Sequence, residues 1–166
     1  RNRDPAATAD WILETDPDLV VIEEGFDQST ASKGKTQDTA IRETLAYAKY
    51  CDELGYHRYW VSEHHNSGNI VGTAPEVLLA AIGATTKRIR IGSAGVMLPH
   101  YSAYKVAEQF RVIEAIAPGR VDLGVGRAPG SDRLTSMALN PHPDDVHDQF
   151  PRQIQELQCW LSGAPL

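Results

Sequence analysis

The sequence predicts an α/β protein on a parallel sheet, made of four βα units. Three observations predict it. Short β-branched apolar runs alternate four times with segments whose apolar residues recur at helical spacing. The polar and Gly-rich motifs fall where the strands end, the place that active-site loops occupy in parallel α/β folds. The length, 166 residues, suffices for one domain that buries roughly two thirds of its unfolded surface. Two architectures satisfy this pattern: an open doubly wound sheet, or half of an eight-unit barrel, which when complete takes about 250 residues. Length favours the open sheet, because half a barrel leaves strand edges unpaired.

Residues 1–17 are rich in Ala, Asp, Thr and Pro and read as a lead-in segment; the domain proper is residues 18–166. Leu19-Val20-Val21-Ile22 is a buried-strand run that ends near Phe26-Asp27-Gln28. Asp38 to Leu54 then places Ile41, Leu45, Ala48 and Cys51 on one helical face, with Gly55 as the stop. Arg58-Tyr59-Trp60-Val61 is the second strand. Thr73 is expected to open the next helix, with Pro75 in its first turn, Glu76 completing a capping box, and Val77, Leu78, Ala81 and Ile82 as its apolar face. The third strand reads from Ile89 through Leu98, and Ser102 begins a helix marked by Val106, Phe110, Ile113 and Ala117 that Pro118-Gly119 ends. Val121 to Val125 is the fourth strand. After a long loop containing Pro129, Pro141 and Pro143, Phe150, Ile154, Leu157 and Leu161 mark the fourth helix.

Composition narrows the function. Sixteen Lys and Arg against 22 Asp and Glu leave a net charge of −6, and no basic block is present, which argues against a nucleic-acid partner. Cys51 and Cys159 belong to no CxxC pair, so neither a disulfide framework nor a zinc ribbon is indicated. No 18-residue apolar run exists, and Arg1-Asn2-Arg3-Asp4-Pro5 lacks a signal-peptide core, so the expectation is a soluble, cytoplasmic protein without a membrane partner.

Ser62-Glu63-His64-His65-Asn66 follows the second strand directly. A histidine there can act as a general base or hydrogen-bond donor, with Glu63 orienting its ring; the alternative is a polar strand end with hydrogen-bonded histidines. A metal site is disfavoured, because adjacent side chains on extended backbone point apart and no HExxH or Cys partner accompanies them. Gly92-Ser93-Ala94-Gly95 interrupts an apolar strand, which marks a bulge, a flat ligand against the backbone, or tight helix–sheet packing. Gly124-Val125-Gly126-Arg127-Ala128-Pro129-Gly130 fails the dinucleotide fingerprint, since its spacing is G-x-G-x-x-x-G with Pro129 inside. Arg127 can still meet an anionic group or form a surface ion pair. Asp27 and Gln28 add polar groups on the same rim. His57 reads as structural, and His100, His142 and His147 as solvated.

Taken in order and spacing, Glu63-His64-His65, Arg90 to Pro99, Ala107-Glu108-Gln109-Phe110 and Pro118 to Gly130 resemble the bacterial-luciferase-like flavin-dependent monooxygenase family, over roughly residues 25 to 163. The resemblance implies a TIM-barrel-type fold of which this chain holds about four of eight βα units. It also implies that reduced FMN, supplied by a flavin reductase, together with O₂ oxidises a small organic substrate. On the same resemblance, His64 is the catalytic histidine, and Ala94-Gly95 is a non-prolyl cis peptide under the flavin. Glu63, Gly126 and Arg127 lie at the cofactor, Arg127 near its phosphate, while Asp27, Gln28 and His65 face substrate. Gly126 stands where luciferases carry a reactive cysteine. Residues 74–86 and 103–117 match the family's dimer interface, so a homo-oligomer or a complementing half-barrel is the expected partner. Two alternatives stay open: deazaflavin F420 as cofactor in hydride transfer, and a non-catalytic half-barrel that serves as an assembly subunit.

Overall fold

A computed structural model describes residues 19–22, 36–67, 70–127, 132–142 and 146–164. The lead-in segment 1–17, Asp27 and Gln28 lie outside them. The elements run β1 (Leu19–Ile22), α1 (Gln37–Leu54), β2 (Arg58–Val61), α2 (Pro75–Thr85), β3 (Arg90–Ser93), β4 (Val96–Met97), α3 (Ala103–Ile116), β5 (Val121–Asp122), β6 (Val125–Gly126), α4 (Arg133–Leu139) and α5 (Val146–Ser162).

The main sheet has the order β1-β2-β3-β5, all parallel, and β4 pairs with β6, also parallel. Within the main sheet the strands lie side by side in chain order, and no reversal occurs among the described strands. A doubly wound sheet requires such a reversal, because it places helices on both faces. Consecutive parallel winding with right-handed crossovers places the helices on one side, as in a barrel. The winding therefore corrects the preference for an open sheet that length alone suggested.

Local chemistry sets the elements. Thr36 caps α1 by accepting from Thr39 N–H at 3.3 Å, and Gly55 closes it at φ 86°, a left-handed conformation natural to glycine. In β2 the side chains alternate: Tyr59 and Val61 are buried, and the Tyr59 hydroxyl donates to Thr44 O of α1, whereas Trp60 turns to the opposite face. The core joins Ala48 and Cys51 of α1, Leu79 and Ile82 of α2, Ile91 of β3, and Val106, Phe110 and Ile113 of α3 to Leu157 of α5.

Several sequence expectations change. The helix expected to open at Thr73 starts instead at Pro75, whose ring suits the first turn, and Ala74 precedes it without a side-chain cap. Glu76 closes no capping box; it accepts from Gln109 Nε2 of α3 at 3.4 Å. Val77 is 64% exposed and Leu79 fully buried, so the apolar stripe is rotated toward α3. The third and fourth strands each split in two, at Ala94–Gly95 and at Leu123–Gly124, and Leu98–His100 forms a 3₁₀ turn. The long loop contains α4, capped by Asp132, which accepts from Thr135 N–H at 3.0 Å. α5 starts at Val146, which places His147 in a helix rather than a loop. His100 is buried, not solvated, and stands edge-on to His65 and Tyr101. His57, expected to be structural, is exposed. No described helix is long and apolar enough to cross a membrane.

Candidate functional site

Parallel pairing brings three strand ends to one rim. Val61 of β2 registers with Ser93 of β3, so Ser62-Glu63-His64 and Ala94-Gly95 leave the sheet side by side, and Ala94 N–H donates to Val61 O at 2.8 Å. Met97 of β4 registers with Gly126 of β6, which sets Arg127 at the same rim. The register thus places His64, His65, Ala94, Gly95, Gly126 and Arg127 at the same end of the strands.

The Ala94–Gly95 peptide is cis, as the resemblance implies. The glycines of this motif serve chain crossing. A Cβ on Gly95 would lie 2.8 Å from Gly124 C and Val125 N, and one on Gly124 would lie 2.2 Å from Ser93 O. Ser93 Oγ donates to Gly124 O at 2.8 Å and accepts from Gly124 N–H at 3.2 Å, which locks the two split strands together. The close packing at Gly92-Ser93-Ala94-Gly95 is therefore between strands, not between helix and sheet. Ala94 itself is exposed.

Glu63 is the most enclosed polar group of the rim, with a side chain of zero exposure. Its Oε2 accepts from Met97 N–H at 2.8 Å. Its Oε1 accepts from Tyr101 Oη at 2.5 Å and lies 2.7 Å from His65 Nε2. A buried carboxylate is tolerable only when donors surround it in this way. Burial, and then the Glu63 carboxylate, push the Tyr101 phenol well above its ordinary value and keep it a donor. Of the two histidines that follow it, Glu63 orients His65, because neighbouring side chains on extended backbone diverge while residues two apart share a side. The expectation that Glu63 touches a cofactor is corrected, since its side chain is fully enclosed and its oxygens are spent on inner partners. The His64 ring is half-buried and makes no hydrogen bond to a described residue; its N–H donates to Gly72 O at 2.8 Å.

Beside the rim, Asn66 sits at φ 51° and its Nδ2 donates to Asp132 Oδ2 at 3.1 Å, tying the loop after β2 to the start of α4. The Thr135 hydroxyl, its N–H and Asn66 hold the Asp132 carboxyl well below the usual range.

Sequence reasoning missed Tyr101 and a second polar group on the sheet face opposite the helices. There Asp122 accepts from Arg90 and from Trp60 Nε1 at 3.2 Å, with Arg58 Nε 3.4 Å away. Gly92 makes room for it, because a Cβ there would meet Trp60 Nε1 at 2.7 Å and Asp122 O at 2.6 Å. The signal was present as Arg, Trp and Gly at lumen-facing positions of successive strands, but only strand register connects them. Among the described residues no cluster of three or more potential metal ligands occurs.

A consecutively wound parallel sheet whose polar groups collect at the strand carboxyl ends defines a barrel-type α/β protein, the class in which active sites sit at that end. The chain belongs to the luciferase-like monooxygenase family, which it matches over residues 24–164. It is 50% identical over 132 residues to the N-acetyl-S-alkylcysteine monooxygenase of Bacillus subtilis (strain 168), an overlap of 80% of this chain and 40% of that protein. Among solved structures, apo-MsnO8 superposes with TM-score 0.78 at 38% identity, covering 89% of this chain and 43% of that one. The oxygenating constituent of 3,6-diketocamphane monooxygenase from the CAM plasmid of Pseudomonas putida, solved in complex with FMN, matches at TM-score 0.64 and 21% identity over 75% of this chain and 34% of that one, a likeness of fold alone. The chain spans about two fifths of the length of the curated relatives it matches, and its fold is accordingly a partial barrel.

Proposed function

We propose that this chain supplies the cofactor-facing rim of a flavin-dependent monooxygenase that acts on a small organic substrate. The observation that supports this reading most is the gathering of His64, exposed Ala94, Gly126 and exposed Arg127 at one end of the parallel strands. These residues suit FMN. Among the described residues, a Cβ on Gly126 would find Val96 O and Gly95 O at 3.8 and 3.9 Å, ordinary contact distances, so the rim there carries no side chain of its own to oppose a flat ring system. Arg127 beside it offers a fork of donors to a phosphate. When bound in its reduced form, FMN supplies the electrons that activate O₂.

His64, with a ring engaged by no described residue, is the group free to donate or accept a proton at the reacting face. His65 and Tyr101 close the floor behind it and exclude water. Asp27 and Gln28 complete the substrate side in this proposal, and a flavin reductase supplies the reduced cofactor. The remaining strands come from a complementing half-barrel or a second copy. Val77, Tyr104, Val112 and Ile116 on the outer faces of α2 and α3 are 64%, 50%, 60% and 40% exposed, an apolar surface suited to a homo-oligomer. That surface also favours the second reading, a non-catalytic assembly subunit.

Titration of the full chain with FMN and with F420, oxidised and reduced, followed by fluorescence and paired with mass in solution, separates these readings. Saturable micromolar binding of FMN, weakened about tenfold in Arg127→Glu because a guanidinium–phosphate contact is lost, is the expected result. Preference for F420 replaces oxygenation by hydride transfer. An oligomer that binds neither cofactor overturns the enzymatic reading in favour of the assembly subunit.

A further inference from the structure

The contacts around Glu63 carry an inference about the protonation pattern of the site. We infer that Glu63 is a positioning residue: together with Tyr101 it locks His65 as the Nε2–H tautomer, so that Nδ1 is the acceptor of the ring. That this acceptor serves an N–H or O–H group of a bound small molecule rests on the rim reading proposed above; the tautomer itself does not.

Met97 N–H is an obligatory donor and occupies Oε2. Tyr101 Oη stands 2.5 Å from Oε1 and 3.3 Å from His65 Nε2, so its proton belongs to the carboxylate. His65 Nε2 lies 2.7 Å from the same Oε1. At that distance two lone pairs would face each other unless a proton stands between them, and Nε2 is the atom left to carry it. Three donors thus converge on one carboxylate, which accepts only. The ring cannot swing away: His65 is 9% exposed at its side chain and His100 stands edge-on against it, with centroids 6.1 Å apart. His65 Nδ1 makes no hydrogen bond to a described residue. The sequence left open which histidine Glu63 orients; the geometry assigns the tautomer control to the ring two residues on.

The test is the ring-nitrogen spectrum of the ¹⁵N-labelled full chain at a pH where the imidazole is neutral, with the His65 signals assigned by their loss in His65→Gln. The expected wild-type pattern is a protonated Nε2 and an unprotonated Nδ1. In Glu63→Gln, Met97 N–H still requires the carbonyl oxygen, which puts the amide NH₂ against His65 Nε2. Two donors cannot share that contact, and the ring inverts to Nδ1–H. Tyr101→Phe removes a donor but leaves the carboxylate, and retains Nε2–H. A wild-type ring found as Nδ1–H or as an even mixture of tautomers overturns the inference. An uninverted ring in Glu63→Gln does so too, as does inversion in Tyr101→Phe. Should Glu63→Gln fail to fold, the wild-type and Tyr101→Phe spectra still decide it. Because no cofactor is added, a chain with the expected tautomer and no flavin affinity would refute the rim reading alone.

Discussion

Removal of the Asp52 carboxylate tests the junction that delivers β3 to the sheet. Asp52 lies at the end of α1 and is 6% exposed. Its Oδ1 accepts from Arg88 N–H at 2.9 Å and Ile89 N–H at 2.7 Å, and its Oδ2 accepts from Lys87 N–H at 2.9 Å. In Asp52→Ala all three donors lose a charged acceptor. Ile89 is 1% exposed, so water cannot replace the carboxylate there, and a buried charge-assisted bond of this kind is worth roughly 1.5–3 kcal/mol. Lys87 and Arg88 are exposed residues whose N–H groups rehydrate, at a net loss of about 0.5–1 kcal/mol each. The sum is about 2.5–5 kcal/mol, on the order of a 10 °C fall in Tm for a domain of this size. Urea unfolding of wild type and variant, followed by two probes to establish two-state behaviour, measures it. A loss under about 1 kcal/mol would refute the claim that this carboxylate organises the turn.

Further predictions follow from close approach and from charge. Gly124→Ala places a Cβ 2.2 Å from a backbone oxygen that cannot yield, and is expected to lose roughly 1–3 kcal/mol or more, whereas Gly126→Ala, with neighbours at 3.8 and 3.9 Å, stays within ~0.5 kcal/mol; comparison of their urea midpoints distinguishes the two glycines. Acid weakens the fold through two carboxylates. Burial pushes both Asp52 and Asp122 up, but the backbone N–H groups of 87, 89 and 88 outweigh it for Asp52, and Arg90, then Trp60, outweigh it for Asp122, so both are held below the ordinary value. Groups depressed in this way contribute fully above the unfolded value near ~3.9 and lose that contribution as pH falls through the folded values. The urea midpoint is therefore expected to hold from pH 7 to 5 and to fall below about pH 4, with a shallower fall in Asp52→Asn.

Much of the fold was legible because its signals are local. The apolar period of 106, 110, 113 and 117 is carried by one helix turning one face to the core, and all four residues are buried. Gly55 stops α1 through its own backbone freedom. The signals that misled were also local: Thr73 and Glu76 have capping-box spacing, yet Pro75 already supplies a helical first turn and Gln109 of a neighbouring helix claims the carboxylate. The splitting of the third and fourth strands was half visible, since the glycines announced a crossing without naming its partner.

By itself the sequence determined the order of the four βα units, the motif positions at strand ends and the family, because periodicity, turn residues and motif spacing are written along the chain. Tertiary structure alone decided the winding of the sheet, the partnership of Glu63 with His65 and Tyr101 rather than with His64, and the Arg90–Asp122–Trp60 group. Those facts depend on which strand lies beside which and on the sheet face each side chain takes, and residues 32 to 62 positions apart meet only once the parallel register is set.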